Sequence, residues 1–343
     1  MPLTIVVAVA LVVVAAGAVW AARDDDDQAT APMCDATAVA SRALPSVVTI
    51  RVESGSSSGS GSGEVVRPDG HILTNNHVVS AAAAGGSITI LFSDGTSHPA
   101  RLVGRDVPTD LAVIKVDREE SLEPIPFGAS SDVEIGQPVV ALGAPLGLAS
   151  TVTSGIVSAL DRSVNVPADG GQTALIVAAI QTDAAINPGN SGGALVDCSG
   201  RLIGVPTAGA VVPNPEGGRS AGDIGIGFAI PSDFARTISD ELIESGRVVH
   251  GSFGIRVVAI SESASQQVSS SAGLFVVGVE PGGPSASAGI RGGDIITEIG
   301  DDPAVTAQQL QALTLTERPG ETVELTLQRA GREHTVDVTL GSR

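Results

Sequence analysis

The sequence has no tyrosine, and aromatic residues make up only 2% of its 343 residues. Any hydrophobic core must therefore be filled by valine, isoleucine, leucine and alanine. Basic charge is also scarce, since Lys115 is the only lysine and the formal net charge is −19. This acidic balance argues against nucleic-acid binding, which requires basic patches, and most simply reflects solubility.

Cysteine is scarce as well, and Cys34 and Cys198 are the only two. Neither has the spacing of a zinc site, so we expect no metal. The Gly/Ser stretch at 54–63 is not followed by Gly-Lys-Ser/Thr, so we expect no phosphate loop and no nucleotide cofactor. In an oxidising compartment the two cysteines could form one disulfide, and the alternative is one exposed and one buried thiol.

One long apolar run is present at residues 3–22, and it ends at Arg23 and four aspartates, 24–27. A helix of about twenty residues spans a hydrocarbon core of about 30 Å. The run lacks a basic n-region and a clean cleavage site, so we expect a transmembrane anchor over 1–22 and a solvated linker over 23–35. A cleaved signal peptide is the alternative. Both interpretations place the remaining chain outside the cytoplasm, and we expect a single-pass bacterial membrane protein.

The run Asn187-Pro188-Gly189-Asn190-Ser191-Gly192-Gly193, hereafter the nucleophile turn, places a serine between glycines. Glycines allow backbone N–H groups to point toward one position. A nucleophilic serine needs such donors, because they hold the oxyanion that forms when its oxygen attacks a carbonyl. An ordinary turn has a similar composition, so this run alone does not decide between the two.

Two upstream segments favour catalysis. Residues 72–79 contain His77, and residues 109–114 contain Asp110, each beside a short apolar run. Histidine, aspartate and then serine is one known chain order of the Ser-His-Asp triad. In these roles Ser191 is the nucleophile, His77 accepts and returns its proton, and Asp110 orients the imidazole. Asp106 is the close rival to Asp110, but it lies in a polar stretch.

At these segments the chain resembles the HtrA (DegP-like) family of serine proteases. The matching stretches are 59–63, 69–79, 109–116, 143–160, 181–195 and 225–231. The resemblance implies a mainly β, chymotrypsin-like double barrel, which we assign to 36–246. It also implies cleavage of misfolded or unfolded proteins and a C-terminal PDZ domain. By position, the triad is His77, Asp110 and Ser191, and the oxyanion donors are the amides of Gly189 and Ser191, with Asn190 between them.

The substrate site is predicted from the same positions. Ala185 and Ile186 lead into the nucleophile turn without a carboxylate to pair with arginine or lysine, so we expect a pocket for small or medium apolar side chains. The substrate backbone would pair with a strand over 204–208 by β-augmentation. That strand contributes Gly204, Val205, Thr207 and Ala208. Pro206 stands where the family usually has asparagine, so one contact is lost or the strand is shifted.

Residues 250–341 resemble one PDZ domain. The run Ser252-Phe253-Gly254-Ile255 matches the carboxylate-binding turn, and residues 306–313 are the expected groove helix. Consecutive N–H groups on such a turn capture a C-terminal carboxylate, and the peptide adds to the sheet edge. The alternative is a structural β-domain without a ligand. In the family, peptide binding here regulates the protease.

The remaining elements are predicted from local patterns. Residues 54–63 read as a flexible loop, Glu64 stands where an apolar residue is usual, and a helix over 234–245 is capped by Asp233 and ended by Gly246. His71 is expected in a turn, and His98, His250 and His334 have no partner pattern. Strands are expected at 47–52, 87–92, 112–116, 139–143, 151–160, 175–181, 193–196, 202–206 and 225–230.

Three functions follow. The first is an envelope-anchored serine endopeptidase for protein quality control, with unfolded chains as substrates and C-terminal peptides as regulators. The second, motivated by Glu64 and Pro206, is a membrane-tethered binding protein with an inactive or conditionally active protease fold. The third is a processing protease with one partner. The family implies a homotrimer, although its usual aromatic contacts are absent between Trp20 and Phe92.

Overall fold

Short aliphatic strands build a first closed barrel in the order β1-β2-β3-β6-β5-β4. Its interior is filled by fully buried isoleucines and valines, including Ile50, Ile72 and Ile114, with Phe92 at one end. The aliphatic core expected from the scarcity of aromatics is therefore present. The elements are α1 (Ala36–Ala43), β1 (Val47–Ser54), β2 (Ser57–Val65), β3 (His71–Asn75), α2 (Asn76–Ala83), β4 (Ser87–Leu91), β5 (Ser97–Asp106) and β6 (Leu111–Val116).

The computed structural model describes residues 34–55, 57–83, 85–118, 120–144, 151–209, 225–260 and 272–343. The expected anchor at 1–22 and nearly all of the linker lie outside these residues. Within the described ranges, no helix combines the length and apolar character needed to cross a membrane. Neither Cys34 nor Cys198 is a free thiol, which leaves the disulfide between them as the prediction.

Strand β2 corrects the prediction of a flexible Gly/Ser loop. It pairs with β1 from Ser54↔Ser57 to Val47↔Glu64. A Cβ atom on Gly63 would lie 2.6 Å from Ile72 Cγ2, and one on Gly61 would lie 2.6 Å from Val78 Cγ2, so the second half of this stretch has no room for larger side chains. Small residues that resemble a linker in the sequence are here required by close packing.

A second closed barrel follows in the order β10-β11-β12-β9-β8-β7. Strand β8 extends well past the expected end at 160 and forms a long hairpin with β9. The hairpin register shifts three times, and Asp161 and Ala178 take left-handed backbone conformations with φ of 57° and 51°. The strands are β7 (Pro138–Gly143), β8 (Thr151–Pro167), β9 (Thr173–Thr182), β10 (Ala194–Val196), β11 (Leu202–Gly209) and β12 (Gly227–Pro231).

Helix α3 (Ser232–Ser245) leaves the second barrel and packs on both. It ends as expected at Gly246, whose φ of 75° is left-handed. The expected cap is wrong: Asp233 lies inside the first turn, and its carboxylate accepts from the Ser130 hydroxyl at 2.9 Å and the Ser131 amide at 3.0 Å. Its charge therefore ties the helix to a neighbouring loop.

The seam between the barrels is a continuous apolar cluster. It combines Leu73 and Leu111 of the first barrel with Val205 and Ile230 of the second, and α3 adds Leu242. All five side chains are at most 1% exposed. The ends of β3, β6 and β11, where the candidate site residues lie, are therefore held by one packed apolar cluster.

The last domain is a small sheet in the order β14-β15-β16-β18-β19, with a groove helix whose N-cap Thr306 forms a capping box with Gln309. Residues 35–343 form one compact unit, and Arg318 of this domain donates to Glu241 of α3 at 2.6 Å. The elements are β13 (Gly251–Ser252), β14 (Ile255–Ile260), β15 (Gly273–Val279), α4 (Pro284–Ser287), β16 (Ile295–Ile299), β17 (Asp302–Pro303), α5 (Ala307–Thr316), β18 (Thr322–Arg329), β19 (Arg332–Thr339) and β20 (Gly341–Ser342).

Candidate active site

His77 and Asp110 meet because the strands beside them are paired. Asn75 at the end of β3 lies opposite Leu111 at the start of β6. His77 Nδ1 lies 2.8 Å from Asp110 Oδ2, and the His77 amide donates to Asp110 Oδ1 at 3.0 Å. One carboxylate thus holds both the ring and the backbone of His77. This fixes the tautomer in which Nε2 is able to accept a proton.

Asp110 is completely buried and has a left-handed backbone with φ of 58°. This conformation costs a non-glycine residue about 1–2 kcal/mol, and such strain persists where the surroundings enforce it. Here the Asp110 carbonyl accepts from the Asn76 amide and from Asn75 Nδ2, both at 3.0 Å. The carboxylate also lies at the start of α2, where the helix dipole favours negative charge.

Thr207 links this carboxylate to the nucleophile. Its hydroxyl donates to Asp110 Oδ2, and its carbonyl accepts from Ser191 Oγ at 3.3 Å. Among the described residues, Ser191 Oγ makes no hydrogen bond with His77. Catalytic hydrogen bonds are often long or unformed before substrate binds, so proton transfer to His77 requires the Ser191 hydroxyl to leave the Thr207 carbonyl.

The nucleophile turn leaves two backbone donors available. Asn190 N–H donates to Asn187 O at 2.9 Å, so this amide is consumed within the turn and does not serve the oxyanion. No residue in the described part of the chain accepts from the amides of Gly189 or Ser191. Gly189 has φ of 104°, which side chains with a Cβ rarely adopt. Two free amides beside a serine hydroxyl are the arrangement that stabilises a tetrahedral oxyanion.

The residues that lead into the turn are apolar. Ile186 is buried, and Ala185 is half-buried, with its carbonyl accepting from Thr153 Oγ1 at 3.0 Å. The neighbouring acid, Asp183, accepts from the Ile156 amide at 2.7 Å and is thereby held against β8. These contacts favour an apolar specificity pocket.

Only part of β11 offers a free edge. Gly204 is paired with both β10 and β12, so its backbone has no free edge for a substrate strand. The Val205 side chain is buried in the seam and is not open to a substrate side chain. The Pro206 carbonyl accepts an amide of the nucleophile turn at 2.9 Å, and the register shifts between Pro206 and Ala208. Backbone available to a substrate strand therefore begins at Thr207 and Ala208.

A second carboxylate–histidine pair lies at the domain boundary. His250 Nε2 is 2.9 Å from both oxygens of Asp106, and both residues are buried. The Thr109 hydroxyl donates to Asp106 Oδ2 at 2.5 Å. Asp106 thus faces His250 rather than His77, which removes it as a rival to Asp110. The turn that carries Asp110 is therefore hydrogen-bonded to the residue at which the last domain begins.

That domain contains a groove of about 650 Å³ between β14 and α5. The predicted run from Ser252 through Phe253 and Gly254 to Ile255 lines one end of it, and Leu310 of α5 lies across from them. Phe253 is 3% exposed and packs in the core of the domain, so it anchors this run from beneath the groove. The placement suits an extended peptide added to β14.

The other histidines lie apart from the candidate site, in structural contacts or on the surface. His71 begins β3 rather than a turn, and its Nδ1 lies 2.7 Å from Asp69 Oδ1. His98 packs edge-on against Phe92 at 5.9 Å. His334 is exposed on β19. The described residues contain no cluster of three or more side chains suited to a metal.

Fold and site together define a chymotrypsin-like serine peptidase domain joined to a PDZ domain. Family models agree: a trypsin-like peptidase domain matches residues 61–205, and a PDZ domain matches residues 251–340. Among solved structures, the HtrA-type protease AlgW with tripeptide has a TM-score of 0.72 and 35% identity, covering 90% of this chain and 97% of that one.

Curated relatives give the same result. Serine protease PepD of Mycobacterium tuberculosis (strain ATCC 25618 / H37Rv) is 44% identical over 310 residues, which cover 88% of this chain and 65% of PepD. The periplasmic pH-dependent serine endoprotease DegQ of Escherichia coli (strain K12) is 37% identical over 338 residues, covering 90% of this chain and 71% of DegQ. The chain belongs to the HtrA (DegP-like) family of serine proteases, which confirms the resemblance.

The match is partial in length for some relatives. The chain spans 65% of PepD and 53% of a probable periplasmic serine endoprotease, DegP-like, of Rhizobium meliloti (strain 1021), to which it is 38% identical over 285 residues, 82% of this chain. Family membership therefore shows the fold and the class of serine protease.

Proposed function

We propose that this protein is a serine endopeptidase that cleaves unfolded proteins. The observation that carries the proposal is the buried Asp110 carboxylate, which binds His77 and is linked through Thr207 to Ser191. The amides of Gly189 and Ser191 have no acceptor among the described residues. The general base His77, the nucleophile Ser191 and the oxyanion donors then all lie at the boundary between the two barrels. No metal is needed for the chemistry that follows.

In the proposed reaction, the Ser191 hydroxyl leaves the Thr207 carbonyl and gives its proton to His77 Nε2 as Oγ attacks the scissile carbonyl carbon. The resulting oxyanion accepts from the Gly189 and Ser191 amides. His77 then returns the proton to the leaving amine, and the C–N bond breaks to give an acyl-enzyme. Water, deprotonated by His77, attacks the ester, releases the acid and restores the hydroxyl.

The proposed substrate is an extended, unfolded chain with a small or medium apolar residue before the cut. Ala185 and Ile186 supply apolar surface and no carboxylate, while the backbone at Thr207 and Ala208 is the edge on which a strand can pair. A folded protein seldom offers such an exposed extended segment. This requirement favours unfolded substrates and suits protein quality control.

We also propose that peptide binding to the PDZ groove regulates the peptidase. His250 immediately precedes β13, which lines the groove, and its ring is bonded to Asp106. Asp106 and Thr109 lie in the turn that carries Asp110. A displacement of β13 would therefore move His250 and Asp106 and change the position of the Asp110 carboxylate. The test is activation by a C-terminal peptide library in His250→Ala, with exposed His334→Ala as the matched control. Equal activation of both variants would refute this route.

The proposed location is outside the cytoplasm, with residues 3–22 as a membrane anchor. DegQ of E. coli and the DegP-like relative of R. meliloti are both named periplasmic. Membrane fractionation of cells that express the full chain, with protease protection, tests the anchor. Light scattering of the purified protein tests the homotrimer that family membership suggests.

The decisive experiment compares the full chain with Ser191→Ala, each incubated with a reduced, unfolded protein. We expect cuts after valine, alanine or similar residues by the wild type alone, mapped by mass spectrometry, and labelling of Ser191 by a fluorophosphonate probe. No cleavage and no labelling, with or without PDZ peptides, would refute the proposal. Suppression of aggregation that persists in Ser191→Ala would instead support a tethered binding protein.

A further inference from the structure

Ser62 lies on β2 and is fully buried although it is polar. Its neighbour Gly63 faces the interior of the first barrel, where a Cβ would meet Ile72 and Ile50. Because successive residues of a strand face opposite sides, the side chain of Ser62 leaves the first barrel. It points to the second barrel, where the nucleophile turn is located.

Four hydrogen bonds converge on Ser62. Its amide donates to the Ser191 carbonyl at 2.9 Å, and its hydroxyl donates to the Gly189 carbonyl at 2.6 Å. The hydroxyl also accepts from the Ala144 amide at 2.8 Å, and the Ser62 carbonyl accepts from Thr74 Oγ1 at 2.6 Å. The hydroxyl therefore both donates and accepts, and Thr74 fixes the backbone that presents it.

These contacts fall on alternate peptide groups of the nucleophile turn. The amides of Gly189 and Ser191, which have no acceptor among the described residues, belong to the peptide groups that precede these two residues. Ser62 binds the carbonyls of the peptide groups that follow them. Each peptide is planar, so only the backbone torsions at Gly189 and Ser191 separate a bound carbonyl from a free amide. Gly189 has no side chain to restrict these torsions, and its carbonyl is held by the Ser62 hydroxyl.

From this geometry we propose that Ser62 is a positioning residue for the oxyanion hole. Its hydroxyl holds the Gly189 peptide so that the Gly189 amide faces the substrate, and it does so from the barrel that carries His77. The position of His77 relative to the oxyanion donors is thereby fixed across the boundary between the two barrels. This inference rests on the proposed peptidase activity and adds to it a residue that touches neither the substrate nor the triad side chains.

The test compares Ser62→Ala in the full chain with Ser60→Ala, because Ser60 lies on the same strand and is exposed. We expect kcat on a peptide substrate to fall about tenfold or more in Ser62→Ala with KM within about twofold, since loss of oxyanion stabilisation acts on the transition state. Affinity for a peptide boronate, which mimics the tetrahedral state, should fall by a similar factor. Affinity for a product peptide should not.

If Ser62 had only a structural role, Ser62→Ala would lower the melting temperature but leave kcat unchanged at temperatures well below the melting point. That result, or a change in KM alone, overturns the proposal. If Ser62→Ala does not fold, Ser62→Cys decides, because a thiol fills the site but is a weak donor. Wild-type kcat in Ser62→Cys would then refute the proposal. Failure of the wild type itself to react with fluorophosphonate would refute the peptidase function instead.

Discussion

Glu64 should destabilise this protein at neutral pH. The residue lies on β2 between Val47 and Leu73 and has no exposed surface. Neither carboxyl oxygen has a hydrogen-bond partner in the described part of the chain. Burial raises the pKa of Glu64 well above 4.5. The folded protein thus holds a proton that the unfolded chain releases, so stability falls as pH rises from 4.5 toward the raised pKa.

The perturbation is Glu64→Met, which keeps a long unbranched chain and removes both polar atoms. An unpartnered buried polar group costs about 1–3 kcal/mol. For a domain of about 200 residues each kcal/mol corresponds to about 2–4 °C. We therefore expect Glu64→Met to raise the melting temperature by several degrees at pH 7.5. Glu64→Gln keeps the shape without ionising, so its advantage over the wild type should grow with pH.

The assay is thermal or urea unfolding of the full chain from pH 4.5 to 8.5, followed by circular dichroism. The matched control is Glu53→Gln, because Glu53 is exposed on the adjacent strand β1. We expect the gap between Glu64→Gln and the wild type to rise by at most about 1.4 kcal/mol per pH unit and then level off above the raised pKa. A gap that does not depend on pH, or a lower stability of Glu64→Met, would refute the reasoning.

Three further outcomes follow from single contacts. Thr207→Val removes the hydroxyl that holds the catalytic carboxylate and should lower kcat about tenfold or more, whereas Thr207→Ser should retain activity on the same peptide. Ala178→Gly relieves a left-handed residue and should raise stability by about 1 kcal/mol, whereas Ala179→Gly, at a buried site of ordinary backbone, should lower it on calorimetry. Burial alone would raise the pKa of Asp294, but the Arg329 guanidinium holds this pKa below 3.8. The ion pair therefore stabilises the folded state above pH 3.8, and this stabilisation is lost as the pH falls through the lowered pKa. Asp294→Asn should therefore cost about 2 kcal/mol at pH 7 and less as the pH falls below 3.8, and a cost that does not depend on pH would contradict the ion pair.

Much of the protein could be predicted from short stretches of sequence. The order of His77, Asp110 and Ser191, each beside an apolar strand, predicts a triad, and the structure brings His77 and Asp110 into contact. The aliphatic filling of the barrels followed from the lack of aromatics, and the end of α3 followed from Gly246. These features depend on spacing and residue type within about ten residues, and a sequence displays such local information directly.

The predictions that failed concern residues whose role depends on distant partners. The Gly/Ser composition of β2 predicts a loop, because a lack of side chains looks the same in a sequence whether it provides flexibility or permits close packing. The position of Asp233 predicts a helix cap, but its partners are Ser130 and Ser131. The resemblance of residues 59–63 to the family is the one signal in the sequence that points to Ser62.

The sequence by itself thus determined the family and the class of enzyme, and it predicts His77, Asp110 and Ser191 as the triad. Only the tertiary structure decided how they are held. Ser62 reaches Gly189 across 127 residues, and Asp106 reaches His250 across 144. Such pairs leave no periodicity in the chain, because they exist only once two barrels and a PDZ domain have packed. Ser62 and Glu64 are both buried on the same strand, but only the Ser62 hydroxyl has hydrogen-bond partners among the described residues. The sequence does not show this difference, because it depends on which polar atoms the fold brings within about 3 Å of each side chain.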